Sequence, residues 1–534
     1  MLRKTFLHFI FIVPLLLFVA HHAGSIPGRD SGWDIEMAEE DFGDAVTPVF
    51  VIPSQIPKEQ IIKGPVQAMP PRYPKELDKG AFRTKQSTAP IASASHFLHL
   101  DQSSTGGFTL LAPAKVKSFK GLEQTRFFPP DPVAAAGPKH VVLAVNSSIG
   151  IFTKKGKKLA EFGFGTFFRS LTEIQGASLF DPKILFDQFT GHFVLVVDAL
   201  RDNDKRSWYI LAVSKTDDPE GEWALYALDM GRNGKKKSHN WADFPGLGID
   251  ETAIYMTGNM FNFNTDEFEF AKLRIVKKDE VYQFGTVHFF DRWNLKDATG
   301  RKADTVQPAH SFGATQIEYL VSLDGFGGNK LTLWNVPHPG ASRPALKKKG
   351  VNVSSYAFPP DAPQKGLAAL INTGDAGIRN AAFLNGSIFA AHAVAGNFGS
   401  GEVSALRIYE LREDATLVQE ITFGDNKRFF YYPAIMPDSH GNLFIVFSSS
   451  SSTEFAGIRY TGRKASQAPG EIQNSKVLKT GDSSYFTPDG INRNRWGDYN
   501  GIGLDPTDDS VWIFSEIPES TARWVTHVGR VKFK

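Results

Sequence analysis

The chain has 534 residues, enough to bury a large core, and its 42% hydrophobic against 22% charged residues exclude a disordered polyelectrolyte. The 59 Lys and Arg against 57 Asp and Glu give a formal charge of +2, which falls to zero without Arg3 and Lys4, so no general electrostatic pull toward nucleic acid or an anionic membrane exists. Cysteine is absent, which excludes disulfide staples, thiol nucleophiles and thiolate metal sites.

Residues 1–24, MLRKTFLHFIFIVPLLLFVAHHAG, place two basic residues before a short apolar run and then small residues. That order predicts a signal peptide and a secreted, cell-surface or periplasmic protein, although His21 and His22 depart from a clean small-x-small cleavage site. No second apolar run is long enough to cross a bilayer, so no membrane span is expected after signal removal. Residues 25–125 are rich in Pro and Lys with weak periodicity and read as an irregular extension. A strand or two is expected within it from His96 onward.

From 126 to 534 short strand signals recur. HVVLAVNSSIGIFTKKGKKLAEFG gives three strands, and DPKILFDQFTGHFVLVVDAL with SWYILAVSKTDDPEGEWALYAL gives four. The later groups repeat one grammar: a polar or aromatic start, a strand rich in Gly and Ala, an Asp/Asn/Gly turn, then a strongly apolar strand. IDETAIYM, MPDSHGNLFIVF and LDPTDDSVWIF show its middle most clearly. A four-stranded unit cannot bury both faces alone but can when packed radially against its copies. Units begin near His140, Asp181, Asp243, Thr305, Asp375, Tyr432 and Asp498. The prediction is therefore an all-β, seven-bladed β-propeller, with six or eight blades as alternatives and one strand from before residue 140 completing the last sheet.

Five segments carry a resemblance: FFPPDPVAAAGPKHVVLAVNSSIGIFTKKG, DPKILFDQFTGHFVLV, AVSKTDDPEGEWALYAL, DFPGLGIDETAIYMTGNMF and RWGDYNGIGLDPTDDSVWIF. They resemble the repeats of a broad family of exported, mostly bacterial β-propeller-like proteins with no assigned activity. The resemblance spans about residues 126–534 and implies the fold, but supplies no catalytic set. VAAA, at 133–136, stands where that family usually has a run containing Thr and Gly.

The unit starts also collect the side chains suited to chemistry. Asp243, Asp375, Asp498, His310 and Tyr499 are candidate acids, bases or proton carriers, and Arg379, Tyr432, Arg495 and Trp496 are candidate ligand contacts. The plainer reading is that an Asp at a strand start accepts backbone N–H bonds and fixes a turn, which applies to Asp181 as well. Trp223, Trp334 and Trp512 fall within strands and read as core. No histidine spacing supports a zinc site, no metal ligands are assigned and no cofactor is expected, although the oxygen-rich starts suit Ca2+. Two functions follow: a propeller that binds a glycan or an extracellular protein at one end of its channel, or a polysaccharide hydrolase or lyase using the same rim. Oligomeric state is left open.

Overall fold

The computed structural model describes residues 32–57, 67–69, 111–325, 327–491 and 493–534. The expected signal peptide, and His96 with the stretch after it to residue 110, lie outside the described residues. Among the described residues seven antiparallel groups of four strands make up the body, and the protein is an all-β propeller. Blade 1 comprises Val133–Ala136, His140–Val145, Ser148–Thr153 and Lys158–Gly163. Blade 2 runs from Ser178–Asp187 through His192–Arg201 and Arg206–Ser214 to Trp223–Asp229. Blade 3 has Asn240–Ile249, Ala253–Asn262, Phe268–Lys277 and Phe289–Trp293, and blade 4 has Gln307–Phe312, Ile317–Leu323, Gly328–Pro337 and Lys347–Tyr356. Blade 5 is Ala381–Leu384, Ser387–Asn397, Glu402–Arg412 and Leu417–Phe423. Blade 6 is Phe429–Pro437, Leu443–Ser451, Glu454–Arg463 and Lys476–Thr480.

Blade 7 takes Gly501–Leu504, Val511–Ser520 and Arg523–Lys532 from the C-terminal part and Ala114–Glu123 from the N-terminal part. The first strands of the seven groups touch in cyclic order, the seventh against the first, so they line a central axis. Those of blades 3, 4 and 5 run parallel and pair directly, Ile249 with His310 and Ala309 with Ala381. Close approach explains their small residues. A Cβ on Gly501 would lie 2.8 Å from the Ala134 nitrogen and 2.9 Å from Val133, backbone that has nowhere to go.

A proline bulge recurs in the first strands. Asp131, Asp181, Phe244 and Tyr432 each precede Pro and each adopt positive φ, between 47° and 57°. The ladders skip register at the same places in blades 2, 3 and 6, between Phe180 and Lys183, Asp243 and Gly246, and Tyr431 and Ala434. Proline has no N–H to leave unpaired there, and a bulge re-aims the side chains beside it. Left-handed backbone is tolerable for Asp but uncommon for Phe or Tyr, which points to a local demand at the axis.

Two expectations need correction. The first blade begins at Val133, not at His140, because the VAAA run is itself an axial strand. The run SSSSSTEFAG, whose polar composition suits a mobile loop, is largely strand: Ser448, Ser449, Ser450 and Ser451 end Leu443–Ser451 and are buried. Among the described residues no helix is long and apolar enough to cross a membrane.

The N-terminal extension lies on the outer edges of the blades. Asp34–Ile35 pairs with blade 4, Glu39–Phe42 with blade 3 and Val49–Val51 with blade 2, each as a fifth strand. Gln67–Ala68 then pairs with Phe127–Phe128 just before blade 1.

Candidate functional site

The bulges bring a set of charged side chains to the end of the axis where the first strands begin. Asp131 is fully buried, accepts from Asn146 Nδ2 at 2.6 Å and receives the Asp498 backbone N–H at 2.6 Å, tying blade 7 to blade 1. Asn146 Oδ1 in turn accepts from the Asp181 N–H at 2.7 Å, which links blade 2 to the same network. Arg495 reaches Asp498 at 2.5 Å. Arg379 holds Asp375 at 2.8 Å and lies over the Phe244 ring at 5.0 Å and the Tyr432 ring at 5.7 Å. Lys183 stands 3.3 Å above the centre of Tyr499 and 5.7 Å from that of Phe244.

Within this set Asp181, Asp198 and Asp243 each place a carboxylate oxygen within 4.8 Å of the other two, and all three are buried. Burial and then the charges of its neighbours push Asp131, Asp181 and Asp198 well above the ordinary carboxylate range. Asp243 is pushed to about 7 by burial and by Asp498, against the Phe244 N–H that its carboxylate accepts. Lys183 is brought down to about 7, burial outweighing the attraction of Asp181. Perturbed groups gathered in this way are a feature of functional sites and of buried charge networks alike.

Of the residues expected at a site, Asp181, Asp243, Asp498, Arg495, Tyr499, Arg379, Tyr432 and Asp375 do gather at this end. Exposure divides them. The Asp375 and Asp498 side chains are 38% and 21% exposed, whereas Arg495, Tyr432 and Tyr499 are buried. Trp496 is 1% exposed: its indole donates to Ser448 Oγ at 3.0 Å and meets Tyr431 and Tyr485 edge-on, so it offers no platform for a sugar. Tyr432 likewise donates to the Asn372 carbonyl and packs in the core.

His310 lies farther along the axis. Its Nε2 faces Gln188 Oε1 at 3.0 Å, burial lowers its pKa to about 4, and its ring borders a small 60 Å3 cavity that Lys183 and Arg379 also line. Beyond it, where the first strands end, a 370 Å3 cavity is walled mainly by small and apolar groups such as Ala136, Leu185, Phe312 and Leu504. His392 is bonded between the Ala376 carbonyl and the Tyr409 hydroxyl inside blade 5, away from the axis.

Sequence reasoning passed over Lys183, Asp198, Phe244 and Asp131 as site residues. The Asp-Pro pair at 131–132, repeated at 181–182, was a usable signal for Asp131, and an acid alone inside the apolar run VLVVDAL was one for Asp198.

The sequence matches no family model and no curated protein. Among solved structures it is similar to a thermostable family-43 glycoside hydrolase at 13% identity, covering 68% of this chain and 93% of that one with a TM-score of 0.30. It is also similar to Drosophila Plexin A in complex with Semaphorin 1b (8% identity, 79% and 88% covered, TM-score 0.33) and to the Dos1 propeller (12%, 78% and 95%, TM-score 0.32). Likenesses this distant say nothing of activity, and the fold rests on the strand pairing itself.

Proposed function

We propose that this chain is an exported propeller that binds a glycan at the end of the channel where the first strands begin. The observation that carries the reading is Phe244. It is a bulky residue held at φ 57°, with a half-buried ring flanked by Lys183 and Arg379 and set edge-on to Tyr499. A strained aromatic with two cations within 6 Å of its ring, beside the partly open carboxylates of Asp375 and Asp498, supplies an apolar face with hydrogen-bond donors and acceptors around it. Sugar rings present that combination of apolar face and hydroxyl edge. The full chain, screened on a glycan array, should bind at least one glycan class, and Phe244→Ala should weaken that binding at least about tenfold, or about 1.4 kcal/mol. Undiminished binding by a Phe244→Ala, Asp375→Asn, Asp498→Asn triple variant would move the ligand elsewhere, and an array with no binding at all would remove the glycan. Export is tested separately, by fractionating cells that express the chain with and without residues 1–24.

The second reading, a polysaccharide-active enzyme, is favoured by two carboxylates at one mouth that each carry an arginine, Asp375 with Arg379 and Asp498 with Arg495. In that case polysaccharide incubated with the protein should gain reducing ends or unsaturated uronate termini. Asp498→Asn should then stop turnover while binding persists. Turnover equal to wild type in both Asp375→Asn and Asp498→Asn would dismiss the enzyme at this rim.

A further inference from the structure

We infer that Asp181, Asp198 and Asp243 form a binding site for a calcium-class divalent cation that couples blades 2 and 3 at the axis. The three come from different elements: Asp181 from the bulge of Ser178–Asp187, Asp198 from the adjoining strand His192–Arg201, and Asp243 from the bulged first strand of the next blade. Their oxygens lie within 4.8 Å of one another. Oxygens this close can share one ion at ~2.4 Å, the calcium–oxygen distance.

Hydrogen bonding gives a second, independent observation. Neither oxygen of Asp198, a side chain 1% exposed, has a hydrogen-bond partner within the protein, nor does Asp181 Oδ1. Buried carboxylates ordinarily collect several donors, and two bare oxygens cost far more than one lost bond. The Tyr499 hydroxyl is also buried and unpartnered, and the charges acting on it are first Asp181, then Asp131 and Asp198, so a neutral oxygen stands in the field of two of the three carboxylates. Every donor is oxygen, the set a hard cation prefers.

Nearby cations do not take the place of an ion. Arg495 is engaged by Asp498 and Arg379 by Asp375, and Lys183 attracts Asp181 across a distance longer than an ion pair while its ammonium sits on the Tyr499 ring. Among the described residues the other grouping of this kind, His140 with Asp218 and Glu220, lies at the surface, where water satisfies the charges. The inference does not depend on the glycan reading.

The test uses the full chain and calcium alone. After dialysis against a chelator, CaCl2 is titrated while thermal stability is followed, and metal content is measured by mass spectrometry on protein purified without chelator. A saturable rise in melting temperature with about one ion per chain is expected, and it should vanish in the near-isosteric Asp198→Asn variant at about 1 mM Ca2+. Asp218→Asn at the surface cluster should titrate like wild type. Because Asp198→Asn can also fail to fold, Tyr499→Phe provides a milder variant, expected to move the calcium midpoint up several-fold with the ring packing intact. A wild-type protein with no bound metal and no calcium-dependent shift overturns the site. So does an unchanged calcium response in a folded Asp198→Asn protein.

Discussion

Closure of the ring through Ala114–Glu123 makes Leu122 a sharp test of the architecture. Leu122 is fully buried, with its Cδ2 against Gly150 of blade 1 and its neighbours Trp512, Phe514, Trp524 and Val528 in blade 7. Its carbonyl accepts from Thr526 Oγ1 at 2.7 Å, which fixes the strand that carries it. Leu122→Ala removes side-chain volume at a junction where neither blade can collapse inward, because both are pinned by their own ladders. Large-to-small changes of this kind cost 2–5 kcal/mol, and we take about 3. Unfolding entropy near 2.1 cal/mol/K per residue, over the roughly 450 described residues, converts that into a fall of about 3 °C in melting temperature. Val116→Ala, in the same strand but 54% exposed, should cost under about 0.5 kcal/mol and shift melting by less than a degree. Circular dichroism melts of the two variants give the comparison. Hydrogen exchange at the amides of Val525, Val528 and Val531 should quicken only in Leu122→Ala, since those residues pair with the closing strand. Equal melting of the two variants, or unchanged exchange in Leu122→Ala, would refute closure by this strand.

Gly501→Ala should destabilise by about 2 kcal/mol in denaturant titration, because its Cβ would meet the backbone of Val133 and Ala134; an unchanged midpoint would mean the axis has slack. Asp291→Asn strips the partner from Arg274, whose guanidinium is fully buried, bonded at 2.7 and 2.8 Å and stacked on Phe289. The loss should be about 3–5 kcal/mol and should be partly restored by adding Arg274→Met, whereas a mild loss would show that water reaches the pair. His392 is held down to about 3, first by burial and then by the Arg407 charge, against an ordinary value of 6.5. The unfolded chain therefore takes up a proton below 6.5 that the folded chain refuses until about 3, so stability falls as pH falls through that window. The slope contributed is about 1.4 kcal/mol per pH unit, and His392→Gln should flatten the stability–pH curve by about that amount between pH 6 and 4.

The sequence made the repeat legible wherever strands are apolar and turns are marked, as in 178–229, where four strands follow the pattern of Val, Ile, Leu and aromatics between Asp, Gly and Pro. It failed where context overrides local preference. Val133–Ala136 carries little strand propensity, yet the tight axis admits only small side chains, so Ala is what that strand needs. The serines at 448–451 look like a loop because they are polar. They are buried because partners arrive from elsewhere, the Trp496 indole and Asn500 amide on Ser448 and the Tyr431 hydroxyl on Ser450. Site residues at unit starts were visible through the recurring Asp-Pro and aromatic-Pro pairs. Which of them would be open and which interred was not visible, since Trp496 and Asp375 look equally available in one dimension. Meeting across blades, as Asp198 does with Asp243, is a property of the ring and is written in no local stretch.

The backward course of the N-terminal extension, past blades 4, 3 and 2 before it enters blade 7, sets an order of assembly. Its short strands are synthesised before any of the surfaces they dock on, and the closing strand must wait for Arg523–Lys532, about 400 positions later. Each doubling of such a gap adds only about 0.6 kcal/mol of loop entropy, so the delay is chiefly one of time. During that time the nascent ring has an open seam and three bare rims, each a template for a foreign strand. The last seam is sealed only when the two ends of the described fold meet, and a cell making this protein must keep Ala114–Glu123 unoccupied until Arg523–Lys532 exists to receive it.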